Sequence, residues 1–384
     1  MSLPNASPIH RADASIAAGP ARSVEKPPAK IAGETTLEKF LHEAAKRSNS
    51  KHLAAALELV GMLAKAGIQV ADIVALGQLA GSVGATMGAA TGSVNFDGDA
   101  QKRLDVLANE VFTQGMRHAP VAAVLSEEMA HPLALDATAP LAVAIDPLDG
   151  SSNIDANVSI GTIFAVFPAV ENAHDPAQHF LRPGREQLAA GFLIYGPQTS
   201  LVLTIGQGVQ VFTLDRRAGE FRLAIAHLTI PRNSTEYAVN AANYRHWDDS
   251  IRAYVDDCIR GADGPLSQDH NMRWTASLVA DAYRILLRGG VFLYPGDQRR
   301  GYHRGRLRLI YEANPIALLI EQAGGCATDT VQRILDVKPR ELHARTPIVF
   351  GSRAAVERIS QYHTDPQFSA ERAPLFFQRG LMRR

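Results

Sequence analysis

The stretch Leu141–Asp155, LAVAIDPLDGSSNID, constrains the fold more than any other part of this 384-residue chain. Its first five residues are apolar and predict a short buried strand, Leu141 to Ile145. Asp146 stands at the carboxyl end. Pro147 lacks a backbone donor and is expected to stop the ladder there. Asp149 follows two residues on, and Gly150, Ser151 and Ser152 predict a tight turn that aims successive N–H groups at one point, as anion-binding nests do. Two carboxylates and a set of amide donors thus share one small volume. Carboxylates repel phosphate, so the pattern makes chemical sense with cations between them. Mg²⁺ is the natural candidate, with Mn²⁺ possible, because hard cations take oxygen ligands and share them with substrate phosphate. A plain Asp-Pro/Asp-Gly turn after a strand is the alternative.

Composition bounds what surrounds that stretch. The chain is 46% hydrophobic, enough for a sizeable core, and its length suggests two domains. Lys plus Arg and Asp plus Glu balance at 39 each, so no global field favours nucleic acid or an acidic membrane. Two cysteines, Cys258 and Cys326, form no CxxC pair, which argues against a disulfide framework or structural zinc. No apolar run reads as long enough to span a membrane, and residues 1–33, rich in Ala, Pro and Ser, read as a disordered extension rather than a secretory signal. A soluble, cytoplasmic protein is the expectation.

Order is expected from Thr35, where Thr35-Thr36-Leu37-Glu38 offers a capping box for a helix carrying Leu37, Phe40, Leu41 and Ala44. Leu53, Leu57, Val60 and Ala64 predict a second helix ending near Gly67, and Val70 to Leu79 a weaker third. Between Gly81 and Gly98 five glycines without periodicity predict a flexible loop leading to Asp99. The helix after it carries Asp105 beside Leu104, Leu107, Val111 and Phe112. Strands are predicted at Val121–Leu125, entering Ser126-Glu127-Glu128, and at Val158–Phe167. Hairpins follow at Gly191–Tyr195, Ser200–Ile205, Val209–Leu214 and Phe221–Ala226. Beyond a boundary near 226–231, helices are predicted at Trp247–Ile259, Trp274–Leu287, Pro315–Ala323 and Ala354–Tyr362. Strands are predicted at Val291–Tyr294, Leu307–Tyr311, Cys326–Thr328 and Pro347–Phe350. The organisation expected is an extension (1–33), a metal and catalytic domain (34–226) with its loop (81–98), a second domain (227–364) and a loose tail (365–384).

Acidic residues cluster around the core stretch: Asp99 with Asp105, Glu127 with Glu128, Asp146 with Asp149, and Glu312 after LRLIY. Adjacent glutamates are most often solvated surface charge. Here Glu127, Glu128, Asp146, Asp149 and Glu312 are each expected to close an apolar strand where the chain turns toward a cleft, as ligand sites of open α/β sheets do. No histidine shares these positions, which favours Mg²⁺ or Mn²⁺ over zinc. Five arginines between Gln298 and Arg308 could be a nucleic-acid patch, but aromatic interleaving is lacking; a phosphate-binding edge or a solvated loop fits better.

From Thr35 to Tyr362 the sequence resembles the class I fructose-1,6-bisphosphatase family. DPLDGSSNID is specific to that family, and GDAQKRLDV, SEE, GGVFLYP, LRLIYEANP and AGG appear around it in the family's order. The resemblance implies an α/β, five-layer α-β-α-β-α fold in two subdomains. It implies metal-dependent hydrolysis of the C1 phosphate of fructose 1,6-bisphosphate, in gluconeogenesis or the Calvin cycle, by a homotetramer. It implies metal ligation by Asp99, Glu127, Asp146, the Leu148 carbonyl, Asp149 and Glu312, and activation of water by Asp105 and Glu128. Ser151 and Ser152, at the Gly150 turn beside Asp149, would cradle the 1-phosphate. Asn240, Tyr244, Tyr294 and Arg306 resemble the 6-phosphate site, and Arg273 an arginine lent by a neighbouring subunit. Arg306 replaces the family's usual lysine and Trp274 a frequent tyrosine, which leaves sedoheptulose 1,7-bisphosphate open as an alternative substrate. A catalytically dead sugar-phosphate sensor is a distant alternative, opposed by the full set of acids. Many members are inhibited by AMP between the N-terminal helices. Here Ser48-Asn49-Ser50-Lys51-His52 lacks the Gly-Thr-Gly turn, Pro140-Leu141 replaces a Lys-Tyr pair and Pro168 an arginine, so weak or absent inhibition is expected.

Overall fold

In the computed structural model, residues 33–77 and 103–364 are described. Residues 1–32 of the expected extension, the loop at 81–98, Asp99 and the tail lie outside them. Helix α1 (Leu37–Arg47) is capped by Thr36, whose Oγ1 accepts from Lys39 N at 3.2 Å, one residue later than the capping box at Thr35 predicts. Helix α2 (Lys51–Leu76) runs straight through Gly67 and absorbs the separate third helix. Gly67 is a contact rather than a stop, since a Cβ there would lie 2.7 Å from Leu193 in the sheet below. At 26 residues α2 is long and apolar enough to cross a membrane by length and composition, contrary to the sequence expectation. Its Ala56, Leu57, Leu59, Val60, Leu63 and Val70 are packed into the core, as in the central helix of a folded domain. Helix α3 (Arg103–Met116) turns Leu104, Asp105, Ala108 and Phe112 inward.

These three helices cover one face of an eight-stranded sheet, in the order β2-β1-β3-β4-β5-β6-β7-β8. The strands are β1 (Val121–Ser126), β2 (Leu133–Ala134), β3 (Leu141–Asp149), β4 (Ile160–Pro168), β5 (Ala189–Tyr195), β6 (Thr199–Thr204), β7 (Val209–Asp215) and β8 (Glu220–Leu228). Only the β1–β3 pair is parallel. Pro147 does not end β3. The ladder to β4 pairs Asp146 with Ile163 and resumes at Asp149 with Gly161, a bulge of one residue that accommodates the missing donor.

The second sheet is ordered β10-β9-β11-β15-β13, from β9 (Glu236–Val239), β10 (Asn271–Met272), β11 (Val291–Tyr294), β13 (Cys326–Thr328) and β15 (Ile348–Gly351). Helices α5 (Leu278–Arg288) and α6 (Asn314–Gln322) lie between the two sheets, in a core formed by Ile163, Phe192 and Val202 of one and Ala238, Phe292 and Phe350 of the other. Helices α4 (Asp249–Arg260) and α7 (Arg353–Thr364) cover the far face through Ile251, Tyr254, Val356 and Ile359. Alternation along β11 sends Val291 and Leu293 to that face and Phe292 to the other. The layers run helix, sheet, helix, sheet, helix, the architecture expected.

Three further expectations differ. The segment Leu307–Tyr311 is a strand only at β12 (Leu307–Arg308), which pairs with β14 (Arg345–Thr346). Leu309–Ala313 is instead a π-helical turn, with Asn314 N–H donating to Leu309 O ahead of Pro315, which has no N–H to give. Helix α5 starts at Leu278 rather than Trp274, because Ala276 takes a left-handed φ of 62° and Ser277 then caps the helix. Helix α4 starts at Asp249, two residues after Trp247, because Asp248 supplies its cap.

Candidate active site

The bulge in β3 builds the site. Strand side chains alternate with period two, so Asp146 and Asp149, three apart, would ordinarily face opposite sides. The extra residue restores them to one side. With Glu312 they form a group in which one carboxylate oxygen from each of the three lies within 4.8 Å of the others. Asp146 Oδ1 accepts from Leu148 N at 3.0 Å, and Thr162 Oγ1 donates to the Pro147 carbonyl at 2.8 Å, so the bulge is pinned from within and from β4. Glu127 follows β1, its N–H donating to Ile145 O at 3.1 Å, which places it beside Asp146 across the parallel pair. Glu312 comes from the π turn, where its carboxylate accepts from Arg308 N. It does not close a strand.

Asp149 is held by the start of α5. Val279 N donates to Asp149 Oδ2 at 3.0 Å and Ser277 Oγ at 3.3 Å. Gly161, paired with Asp149, makes this approach possible: a Cβ there would lie 2.2 Å from Leu193 O and 2.7 Å from Val279. Gly150 turns the chain with φ 81°, and a Cβ on it would already touch Ser277 at 3.4 Å. Ser151 and Ser152 follow in a short 3₁₀ turn at the surface of the site.

The electrostatics are those of anions crowded out of water. Burial, opposed by its hydrogen bonds, pushes the Asp149 carboxyl up to about 6, and burial pushes Glu312 up to about 7 despite Arg308. Burial first, then the neighbouring carboxylates, hold Glu127 and Asp146 well above the usual range. Arg308, buried, brings its guanidinium to 3.6 Å from Glu127. Arg308 and Arg345 lower the Glu312 carboxyl but leave it raised, and the all-oxygen donor set of Asp146, Asp149 and Glu312 fits divalent cations.

Asp105 is buried in the first turn of α3. Glu128 is half-buried after β1. Ser126 Oγ links their elements, donating to Asn109 Oδ1 at 2.7 Å and accepting from Glu128 N at 3.3 Å. Asn109 stands one turn after Asp105 on α3.

A second cluster is drawn from the turn after β9, from β11 and from the loop after β11. Asn240, Tyr294 and Arg306 line one narrow cleft with Asn243, Tyr302 and Asp297. Tyr244 is turned away from that lining, its hydroxyl donating to Asp256 at 2.7 Å. Arg273 is exposed beside β10. Sequence reasoning missed Tyr302, whose ring carries the Arg299 and Arg306 guanidinium groups at 4.6 and 4.9 Å from its centroid. It also missed Ser277, Val279 and Gly161, none of which carries a motif-like signal of its own.

Models of the fructose-1,6-bisphosphatase N-terminal and C-terminal domains match residues 35–226 and 230–364. The chain is 54% identical over 351 residues to the class 1 fructose-1,6-bisphosphatase of Rhizobium meliloti, covering 91% of this chain and 99% of that one. It is 52% identical over 342 residues to the Methylorubrum extorquens protein of the same name, covering 89% and 97%. The crystal structure of Leishmania major fructose-1,6-bisphosphatase in holo form superposes with a TM-score of 0.78 at 32% identity, covering 86% of this chain and 99% of that one.

Proposed function

The chain belongs to the fructose-1,6-bisphosphatase family, and from that membership we propose how its own residues carry the reaction. It hydrolyses the C1 phosphate of fructose 1,6-bisphosphate to fructose 6-phosphate and phosphate. The observation that carries the mechanism is the convergence of Asp146, Asp149 and Glu312 within 4.8 Å, with Glu127 beside them. These four, with the Leu148 carbonyl and Asp99, would hold Mg²⁺ or Mn²⁺. Bound there, the cations would neutralise phosphoryl oxygens and ease attack by water at neutral pH. Asp105 and Glu128 orient the attacking water and take its proton. The turn of Gly150, Ser151 and Ser152 cradles the 1-phosphate next to Asp149, while Asn240, Tyr294 and Arg306 hold the 6-phosphate. Tyr244 joins them once its hydroxyl leaves Asp256, and Arg273 reaches the site of a neighbouring subunit in a homotetramer. The enzyme works in the cytoplasm, in gluconeogenesis or the Calvin cycle.

A second reading, equal or better use of sedoheptulose 1,7-bisphosphate, is favoured by two observations. Trp274 stacks on Phe292 and Tyr294, at 5.5 and 5.9 Å between centroids, and Arg306 is held on Tyr302. Phosphate release from both sugars, with Mg²⁺, Mn²⁺ or EDTA, tests the whole. We expect a higher kcat/KM on the six-carbon sugar and none with EDTA. A preference for the seven-carbon sugar overturns the substrate, and turnover in EDTA overturns the metal.

A further inference from the structure

The loop Arg273–Ser277 joins the two halves of the site. At its far end Trp274 stacks on Tyr294 in the sugar-phosphate cleft, and at its near end Ser277 and Val279 bond Asp149. Its backbone is strained in the middle. Ala276 sits at φ 62°, a region in which a Cβ meets the backbone and where the short polar side chains of Asn or Asp are better tolerated. An alanine has no side-chain hydrogen bond with which to offset that conformation, so its surroundings must impose it.

Two side chains do so. Asp281, only 1% exposed, accepts from Thr275 N at 3.0 Å through Oδ1 and at 3.3 Å through Oδ2. From the opposite side Asn153 Nδ2 donates to Ala276 O at 2.8 Å. Ser277 then caps α5, its Oγ 3.4 Å from Ala280 N. Asp281 lies one turn inside the same helix, with its N–H bonded to Ser277 O at 3.0 Å. An aspartate fully withdrawn from water gains nothing from solvent. Its hydrogen bonds are all directed at the strained turn, which makes it the clamp of that turn rather than a surface charge.

We infer that Asp281 is a positioning residue for the reaction: it clamps the Thr275–Ser277 turn with Ala276 left-handed, so that the Ser277 hydroxyl and Val279 N–H converge on Asp149 while Trp274 stays on Tyr294. The role rests on the phosphatase reading of Asp149 and Tyr294. It predicts a joint effect on cation and sugar phosphate from a side chain that touches neither.

The test uses the full-length protein and Asp281→Asn, which keeps the volume and replaces one of the two acceptor oxygens facing Thr275 N with an N–H₂ group. Expected are a Mg²⁺ activation midpoint raised about tenfold, a KM raised severalfold and a kcat at saturation of both within about threefold, an effect carried through hydrogen bonds to one ligand. Adding Ala276→Gly, which takes the left-handed conformation without strain, is expected to bring the Mg²⁺ midpoint back by about fivefold. Amide exchange at residues 275–279 in the metal-free protein is read in parallel and is expected to speed up in Asp281→Asn. An unmoved Mg²⁺ midpoint, unmoved exchange, or a lowered melting temperature as the sole effect overturns the inference. Faster exchange in the variant supports the clamp whatever the wild-type turnover, whereas a wild type without cation-dependent hydrolysis overturns the phosphatase reading alone.

Discussion

Asp149 carries three duties that pull against one another: it is buried, it accepts from Val279 and Ser277, and it stands within 4.8 Å of Asp146 and Glu312. Asp149→Asn is expected to cut turnover below a tenth at saturating Mg²⁺ while the metal-free melting temperature holds or rises, because an anion is removed from a repelling group. Steady-state rates beside a thermal melt check it; retained activity would count against Asp149 as a ligand. The same crowding sets a pH dependence. Asp149 and Glu312 are pushed up to about 6 and about 7 in the fold, above the ordinary values of 3.8 and 4.5, so the folded state binds more protons than the unfolded chain. A raised carboxyl costs stability once it ionises, so the penalty is full above about 7 and is relieved as pH falls through 7 and 6. The metal-free protein is therefore expected to melt higher at pH 5.5 than at pH 8. Mg²⁺, binding the ionised form, should raise the melting temperature more at pH 8. Melts at both pH values with Mg²⁺ and with EDTA show it, and a metal-free melting temperature that rises with pH would contradict it.

At the scale of elements, the bulge at Pro147–Leu148 and the glycine opposite it do together what neither does alone. The bulge brings Asp146 and Asp149 to one face, and Gly161 lets α5 press close enough for its first turn to reach Asp149. Gly161→Ala would set a Cβ 2.2 Å from the Leu193 carbonyl, in the middle of a paired ladder. We expect a loss of at least about 2 kcal/mol in denaturant melts, together with a higher Mg²⁺ midpoint. A variant with wild-type stability would mean that the sheet yields there at no cost. Such contacts explain which elements were readable beforehand. Strands β1, β4 and the hairpins from β5 to β8 are apolar runs bounded by turn residues, and that local signal survives in the fold. The π turn at Leu309–Ala313 carries the same apolar letters as a strand, but Pro315 and the bond from Arg308 N to Glu312 decide otherwise, across residues that periodicity treats separately. Gly67 likewise reads as a stop until the sheet beneath it is known. The acids could be named from spacing and family likeness, whereas their supports, Ser277, Val279 and Asp281, come from a helix some 130 residues away in the chain and have no local signature.

Across the whole molecule the five layers place the N-terminal helices on the sheet face opposite α5 and α6, so any effector seated among α1 and α2 must act through the sheet. The residues that such an effector would meet are spent on the fold itself. Ser50 Oγ accepts from Leu53 N at 3.2 Å, and Ser48 Oγ accepts from Ser50 N at 3.1 Å, so the start of α2 satisfies its own amides instead of presenting them to a phosphate. Leu141 and Pro168, at two of the positions where AMP-sensitive relatives carry tyrosine and arginine, are direct partners across β3 and β4, one fully buried and neither bearing a donor on its side chain. Pro140 offers only its carbonyl, which accepts from Ala169 N at 2.8 Å. Arg182 comes near by donating to Pro168 O at 2.9 Å, but its Nε is bonded to Glu186 at 2.6 Å, so its charge is already matched. Charge-assisted bonds to phosphate contribute about 1.5–3 kcal/mol each, and the loss of two weakens binding by about two orders of magnitude or more. Activity followed across an AMP titration, at saturating Mg²⁺ and with substrate near its KM, is therefore expected to stay flat through concentrations that silence AMP-sensitive relatives. Half-inhibition in the low micromolar range would mean that Lys51 or Arg47 builds an anion site between α1 and α2 that the self-capped turn does not reveal.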